Sequence, residues 1–227
     1  ITNDPWLATG HLPDITMCMP VFRNGMLVGF SGSIAHSPDI GGSLWSADCR
    51  EIYEEGLRIP PIKFLKEGEP NQDVEEMILG NVRLPDQVLG DLNAQVTANK
   101  VCGRRLLEFL EDSDLADLSR LSTALQGRAE MAMRHAIEEA PDGVYHSSLD
   151  ADGFDEDETH LECTITVKGS DLKIDYEGTS KQIHRGLNTV MNYTQAYSAY
   201  PVKCALDPYT PRNEGSYRPI DVVAPEG

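Results

Sequence analysis

The sequence has 227 residues, 40% hydrophobic and 25% charged, which is typical of a globular protein with enough chain for a sizeable core. It carries 37 acidic side chains against 19 basic ones, a net charge of −18. A field of that sign repels phosphate backbones and anionic membrane surfaces, so we expect no nucleic acid and no membrane as partner.

The cysteines indicate the redox state of the cellular compartment, and the chain ends indicate whether the sequence is part of a longer protein. The five cysteines are odd in number, widely spaced and without a C-x-x-C pair, which favours a reducing compartment over a disulfide framework or a zinc cluster. The start, ITNDPWLATG, resembles no signal peptide, so we predict a cytoplasmic protein. The missing initiator Met and the closing DVVAPEG lead us to expect an internal fragment of a larger subunit.

The first 72 residues predict a β-rich segment. MCMPVF (17–22) and MLVGFSGSI (26–34) are β-prone, and the Arg-Asn-Gly between them favours a tight hairpin turn. From residue 73 to 140 the pattern becomes helical, with three helices predicted over 73–83, 85–112 and 114–140.

The last part, 141–227, predicts a mixture of strand and helix. HLECTITV (160–167) and LKIDYEG (172–178) alternate apolar and polar residues, which predicts a β-hairpin with one buried face. Residues 187–206 predict a helix that is broken or ends near Pro201. This order of elements predicts an α+β fold rather than alternating βαβ units.

Phosphate-binding motifs are missing from the sequence. It contains neither G-x-x-x-x-G-K-[ST] nor G-x-G-x-x-G. Any ATP chemistry would therefore need another chain or another domain.

One frame, His-x-Pro-Asp-Ile, occurs twice, at 11–15 and at 36–40. Proline fixes its own φ and biases the residue before it, so each frame would hold a histidine and an aspartate as a preset pair. Two such turns, at the ends of two β segments joined by a hairpin, could bring four side chains together: His11, Asp14, His36 and Asp39. Imidazole and carboxylate donors suit Zn or Mn with one coordination position left open. The alternative is that Pro-Asp only makes a turn, with the aspartate capping backbone amides.

Other candidate sites carry weaker patterns. DADGFDEDE (150–158) fails as a calcium loop, because loop position 6 is Asp155 and not glycine, and we interpret it as a solvated acidic loop. Asp91 and Gln95 lie four apart on a predicted helix, either lining a cleft or on a solvated face.

Two arginines, Arg58 and Arg83, stand out in so acidic a chain. They are candidates to receive an anionic substrate or to form surface ion pairs.

Seven segments together resemble one family. They are, in order, NDPWLATGHLPDITMCMPVF, AHSPDIGG, EIYEEGLRIPP, GNVRLPDQVLGDLNAQ, MRHAIEEAPDGVY, DYEGTSKQ and PRNEGSYRPIDVVAPEG. In this order they resemble the hydantoinase B/oxoprolinase family, which includes N-methylhydantoinase B subunits, the C-terminal half of 5-oxoprolinase, caprolactamase, and a subunit of acetone and acetophenone carboxylases. The resemblance covers nearly the whole chain and implies that 1–227 is an internal portion of a longer hydantoinase B-like domain.

The resemblance implies a hetero-oligomeric, ATP-dependent hydrolase of cyclic amides such as hydantoin, oxoproline or lactam rings. A partner of actin-like ATPase fold, the hydantoinase A-type subunit or domain, would phosphorylate the substrate's carbonyl oxygen. The B-type subunit would then complete the reaction at a divalent metal.

The resemblance also implies roles for individual residues. In the carboxylase branch a His-x-x-Asp pair and a later histidine bind the metal, and these correspond here to His11, Asp14 and His36. Asp39 would be a fourth ligand or would orient a ligand. The chemistry also needs a base, for which Asp39 and Asp91 are the two candidates, and nothing in the sequence selects between them. Many members have two adjacent histidines where this chain has His36 followed by Ser37.

Three alternatives stay open at this point. The first is a subunit of an ATP-dependent ketone carboxylase. The second is a non-catalytic scaffold that docks the ATPase partner. The third is a mononuclear iron oxygenase with a site of two histidines and one carboxylate.

Overall fold

The computed structural model describes residues 1–154 and 157–227. Its strands are β1 (Asp14–Arg23), β2 (Met26–His36), β3 (Leu65–Lys66), β4 (Glu69–Pro70), β5 (Gly143–Phe154), β6 (Asp157–Lys168), β7 (Asp171–Asp175) and β8 (Ile220–Val223). Its helices are α1 (Ile52–Glu55), α2 (Gln72–Leu79), α3 (Pro85–Asp112), α4 (Ser119–Glu138) and α5 (Met191–Leu206), with a 3₁₀ turn at Glu214–Tyr217. The predicted α+β class is confirmed.

The chain forms two compact units, one of residues 1–118 with 184–192 and the other of residues 119–183 with 193–227. The division runs through the predicted helical segment, because α3 belongs to the first unit and α4 to the second. None of the helices in the described part of the chain has the length and apolar content needed to cross a membrane.

The first unit is built on the antiparallel hairpin of β1 and β2. Asn24 and Gly25 form its turn with φ of 51° and 77°, the left-handed conformations that a two-residue hairpin turn requires. One face of the hairpin packs on α3 so closely that a Cβ on Gly103 would lie 2.7 Å from the Met19 side chain. The predicted N-terminal hairpin is confirmed.

Two buried amide side chains join α3 to the hairpin. Gln95 Nε2 donates to the Ile15 carbonyl at 2.9 Å, and Asn99 Nδ2 donates to the Met17 carbonyl at 3.2 Å. The Ser31 hydroxyl donates in turn to Asn99 Oδ1 at 3.1 Å. Because a buried amide without partners is costly, these hydrogen bonds fix the position of α3 along β1.

The second unit holds a four-stranded sheet in the order β5-β6-β7-β8, antiparallel except for the parallel pair of β7 and β8. Its core is formed by α4, α5 and the sheet. The buried core residues are Met133, Ile137, Ala199, Val167, Leu172, Ile174, Ile220 and Val222. The predicted hairpin of 160–178 is confirmed as β6 and β7. Strands β5 and β8 were not predicted from the sequence, since β5 is exposed along most of its length and β8 has only four residues.

Two expectations for this unit need correction. The helix predicted to break or end near Pro201 instead continues through it to Leu206. Ala199 and Lys203 are buried on either side of the proline, so packing outweighs the local preference. The acidic segment 150–158 was predicted to be a loop, yet its described residues belong to β5 and β6, while Asp155 and Glu156 lie outside the described residues.

Candidate metal centre

The hairpin register places Asp14 at the start of β1 directly opposite His36 at the end of β2. Directly paired residues in an antiparallel ladder point their side chains to the same face. His36 Nδ1 accordingly lies 2.6 Å from Asp14 Oδ1.

His11 approaches the same carboxylate from the loop before β1. Its Nε2 lies 2.9 Å from Asp14 Oδ2, so each carboxylate oxygen faces one imidazole. The two frames are also joined through their backbones, because the Ser37 N–H donates to the Pro13 carbonyl at 2.7 Å.

A fully buried asparagine holds the loop that carries His11. Asn3 Nδ2 donates to the carbonyls of Leu12 and Leu57, each at 2.9 Å, and Asn3 Oδ1 accepts from the Ile59 N–H at 2.6 Å. Leu12 is itself completely buried, so the residue next to His11 is fixed by packing as well. These contacts fix the backbone beside His11.

His11, Asp14 and His36 each offer a donor atom, and the three atoms lie within 4.8 Å of one another. Two imidazoles and one carboxylate form a donor set that suits Zn or Mn. Asp14 and His11 are partly buried, whereas the His36 side chain is 53% exposed, which leaves one side open to solvent. The residues present therefore fit a divalent cation with room for a further ligand.

Asp39 lies outside this group of three. Its carboxylate is buried and accepts hydrogen bonds from the backbone N–H groups of Gly41, Arg83 and Leu84, and from the Arg83 guanidinium at 3.1 Å. Leu84 is the residue that precedes α3, so the carboxylate sits at the positive end of that helix.

The surroundings of Asp39 set its protonation state. Burial disfavours its charged form, yet the backbone donors of Gly41, Arg83 and Leu84 and the nearby Arg83 charge hold its pKa below the usual range. Asp39 therefore holds backbone amides, as the alternative for these frames describes, and its predicted roles as metal ligand and as base stay predictions.

Asp91 and Gln95 do not share a polar face. Asp91 is exposed, whereas Gln95 is buried and donates to the Ile15 carbonyl. The base role considered for Asp91 stays a prediction.

The two arginines singled out in the sequence form ion pairs. The Arg58 guanidinium contacts the buried Asp4 carboxylate at 2.6 Å and lies over the Trp6 ring at 5.2 Å, and Arg83 pairs with Asp39. Both engage buried aspartates, as the ion-pair alternative anticipated.

Sequence reasoning missed one aromatic residue beside the cluster. The Trp45 ring stacks on His36 with centroids 5.3 Å apart and planes 14° apart, and its centroid lies 5.5 Å from that of His11. Trp45 lies in a loop, where no periodic pattern singles out a residue.

Ser37, the departure from the family pattern, is buried. Its hydroxyl donates to the Asp39 carbonyl at 2.9 Å. The side chain at this position thus stabilises the second frame and does not project toward solvent.

Comparison with known proteins gives consistent matches over the whole chain. The family model described as hydantoinase B/oxoprolinase matches residues 1–227. The chain is 34% identical to the B-type subunit of a putative D-/L-hydantoinase from a Pseudomonas species, over 99% of this chain and 41% of the relative.

Two solved structures are similar to the model. The crystal structure of an ATP-dependent caprolactamase from Pseudomonas jessenii matches with a TM-score of 0.85 and 32% identity, over 98% of this chain and 39% of that chain. A nucleotide-free acetone carboxylase structure matches with a TM-score of 0.82 at 17% identity, over 96% of this chain and 31% of that chain, which shows a shared fold. The chain thus spans about two fifths of the length of the hydantoinase and caprolactamase relatives, and it belongs to the hydantoinase B/oxoprolinase family.

Proposed function

We propose that this chain carries the divalent-metal site of a B-type subunit in an ATP-dependent hydrolase of cyclic amides, such as hydantoin, oxoproline or lactam rings. The observation that carries the proposal is the convergence of His11, Asp14 and His36 on one point. Relatives named as a hydantoinase and an ATP-dependent caprolactamase support the reaction class.

The three side chains would hold Zn or Mn through one imidazole nitrogen from each histidine and one or both oxygens of Asp14. When bound, such an ion supplies Lewis acidity toward a substrate oxygen or a bound water. Asp14 orients both imidazoles through its two oxygens, so the donors are held close together beforehand. The exposed side of His36 is where a substrate would approach.

Activation by ATP falls to a partner in this proposal, because the chain has no recognisable phosphate-binding motif. The partner would be an actin-like hydantoinase A-type subunit or domain, which gives a cytoplasmic hetero-oligomer. Phosphorylation of the amide oxygen would create a leaving group and remove the resonance that protects the ring.

The test is metal content by plasma mass spectrometry on dialysed protein, for the wild type, His36→Ala and His135→Ala. His135 is an exposed histidine of α4 outside the cluster and serves as the matched control. We expect about one Zn or Mn per chain in the wild type and the control and none in His36→Ala, since loss of a ligand collapses affinity. Metal missing from the wild type, or retained in His36→Ala, would overturn the proposal.

The activity of the assembled complex distinguishes the scaffold alternative from the metal site. A scaffold that only docks the ATPase predicts full ATP-dependent ring hydrolysis in His36→Ala, whereas the metal site predicts its loss. Ketone carboxylation is distinguished by offering a ketone with bicarbonate in place of a cyclic amide. The acetone carboxylase likeness supports the fold alone and does not favour that reaction.

A further inference from the structure

We propose that Trp45 is a positioning residue of the metal centre, which holds the ring planes of His36 and His11 and responds optically when the ion binds. The inference rests on the proposed metal site and adds a residue to it. Trp45 approaches both imidazoles, with its ring nearly parallel to that of His36 and inclined by 51° to that of His11. It therefore contacts the same two rings that Asp14 joins through its carboxylate.

The backbone at Trp45 is in an unusual conformation. Its φ is +62° and that of the preceding Leu44 is +23°, in a region that bulky side chains rarely adopt. Such conformations persist only where the surroundings determine them, and they occur preferentially at functional sites. Because the strained residue is the one that stacks on the candidate ligands, the strain coincides with the site.

The loop around Trp45 is held on both sides. The Ser43 N–H donates to the Glu54 carbonyl at 2.9 Å, and the Gly186 N–H donates to the Ala47 carbonyl at 3.1 Å. A Cβ on Gly186 would lie 2.7 Å from the Ser46 carbonyl oxygen, so the two segments are in close contact. The backbone that carries Trp45 is therefore held by the fold, while the indole itself is 65% exposed and contacts the two imidazoles.

A stacked indole would act on the metal centre through the imidazoles. It restricts rotation of the His36 ring, which also contacts the Asp14 carboxylate. It also covers one face of that ring. Both effects need an aromatic surface and no charge. Phenylalanine at position 45 should therefore still position the His36 ring, whereas alanine should not.

The first measurement is Co²⁺ affinity by equilibrium dialysis of the 227-residue chain, for the wild type, Trp45→Ala, Trp45→Phe and Trp6→Phe. We expect Trp45→Ala to weaken binding about tenfold or more, as loss of an outer-shell partner does. Trp45→Phe should keep most of the affinity. Trp6→Phe is the matched control, since Trp6 stacks on Arg58, and should bind as the wild type does.

The second measurement leaves Trp45 intact, which guards against misfolding of the alanine variant. The chain has two tryptophans, so Trp6→Phe leaves Trp45 as the single indole. Its emission should fall saturably with Co²⁺, with a midpoint that matches the dialysis constant.

The outcomes separate the two proposals. Tight Co²⁺ binding with unchanged affinity in Trp45→Ala and no change in Trp45 emission would overturn the role of Trp45 and leave the metal site standing. No Co²⁺ binding by the wild type would overturn both.

Discussion

The first His-x-Pro-Asp-Ile frame directs its aspartate to two histidines, whereas the second directs its aspartate into the backbone. Asp14 faces His11 and His36 with one oxygen each. Asp39 instead receives the N–H groups of Gly41, Arg83 and Leu84. Two frames with the same sequence pattern thus produce a candidate metal ligand in one place and a buried carboxylate that holds loop backbone amides in the other.

The difference comes from the residues after each frame. The first frame leads directly into β1, so Asp14 lies in a ladder opposite His36. The second leads into Gly41 and Gly42, with φ of 73° and 52°, and a Cβ on Gly41 would lie 2.4 Å from the Asn81 carbonyl oxygen. The chain therefore turns tightly against the segment before α3, which supplies backbone donors for a carboxylate. A short motif fixes local geometry, and its neighbours decide the chemistry.

The largest effect should follow removal of the shared carboxylate. Asp14→Asn should lower Zn or Mn affinity by more than about a hundredfold, beyond the cost of losing an outer-shell partner. Asp14 is at the start of β1 and partly exposed, so the melting temperature without metal should stay close to that of the wild type. Dialysis and circular dichroism measure the two quantities, and metal affinity equal to the wild type would show that Asp14 is not a ligand.

The corresponding change in the second frame should produce the opposite pattern. Asp39→Asn places an amide N–H₂ against backbone donors, so the free energy of unfolding should fall by about 2 kcal/mol while metal content stays at the wild-type level. Urea denaturation measures the first and plasma mass spectrometry the second. Loss of metal from a folded Asp39→Asn protein would show that Asp39 is a metal ligand and that the two frames have the same role.

A smaller effect is expected from pH. The pKa of Asp39 is lower in the folded protein than in the unfolded chain, so its contribution is fully present above the unfolded pKa of about 3.9 and is lost as pH falls through the folded pKa. Unfolding free energies measured from about pH 6 down to about pH 3 should fall more steeply for the wild type than for Asp39→Asn. Parallel curves would mean that the hydrogen bonds to Asp39 do not favour its ionised form.

The N-terminal hairpin was predictable because its signals are local. Two β-prone segments around Asn24 and Gly25 predict the turn. The pairing of Asp14 with His36 also needs the register shift between Val21 and Phe22, because the turn alone would place Asp14 opposite Ala35, and no local signal predicts that shift. The role of Asp39 was not predictable from its frame, because its partners Arg83 and Leu84 come 44 and 45 residues later.

Other features carry no periodic signal at all. The stacking of Trp45 arises from a loop, and β5 was missed because an exposed strand needs no apolar alternation. Helix α5 continues through Pro201 because Ala199 and Lys203 on either side are buried. The local tendency of proline to end a helix takes no account of such packing.

The geometry of the candidate site depends on the number of residues in each strand of the hairpin, because one extra residue of β2, at the register shift between Val21 and Phe22, brings His36 opposite Asp14. Side chains alternate between the faces of a strand, so inserting one residue in β2 would send His36 to the opposite face from Asp14. Inserting two would restore the face but displace the imidazole by about 7 Å along the strand. The number of residues in each strand must therefore stay fixed, including the extra residue of β2 at the register shift between Val21 and Phe22.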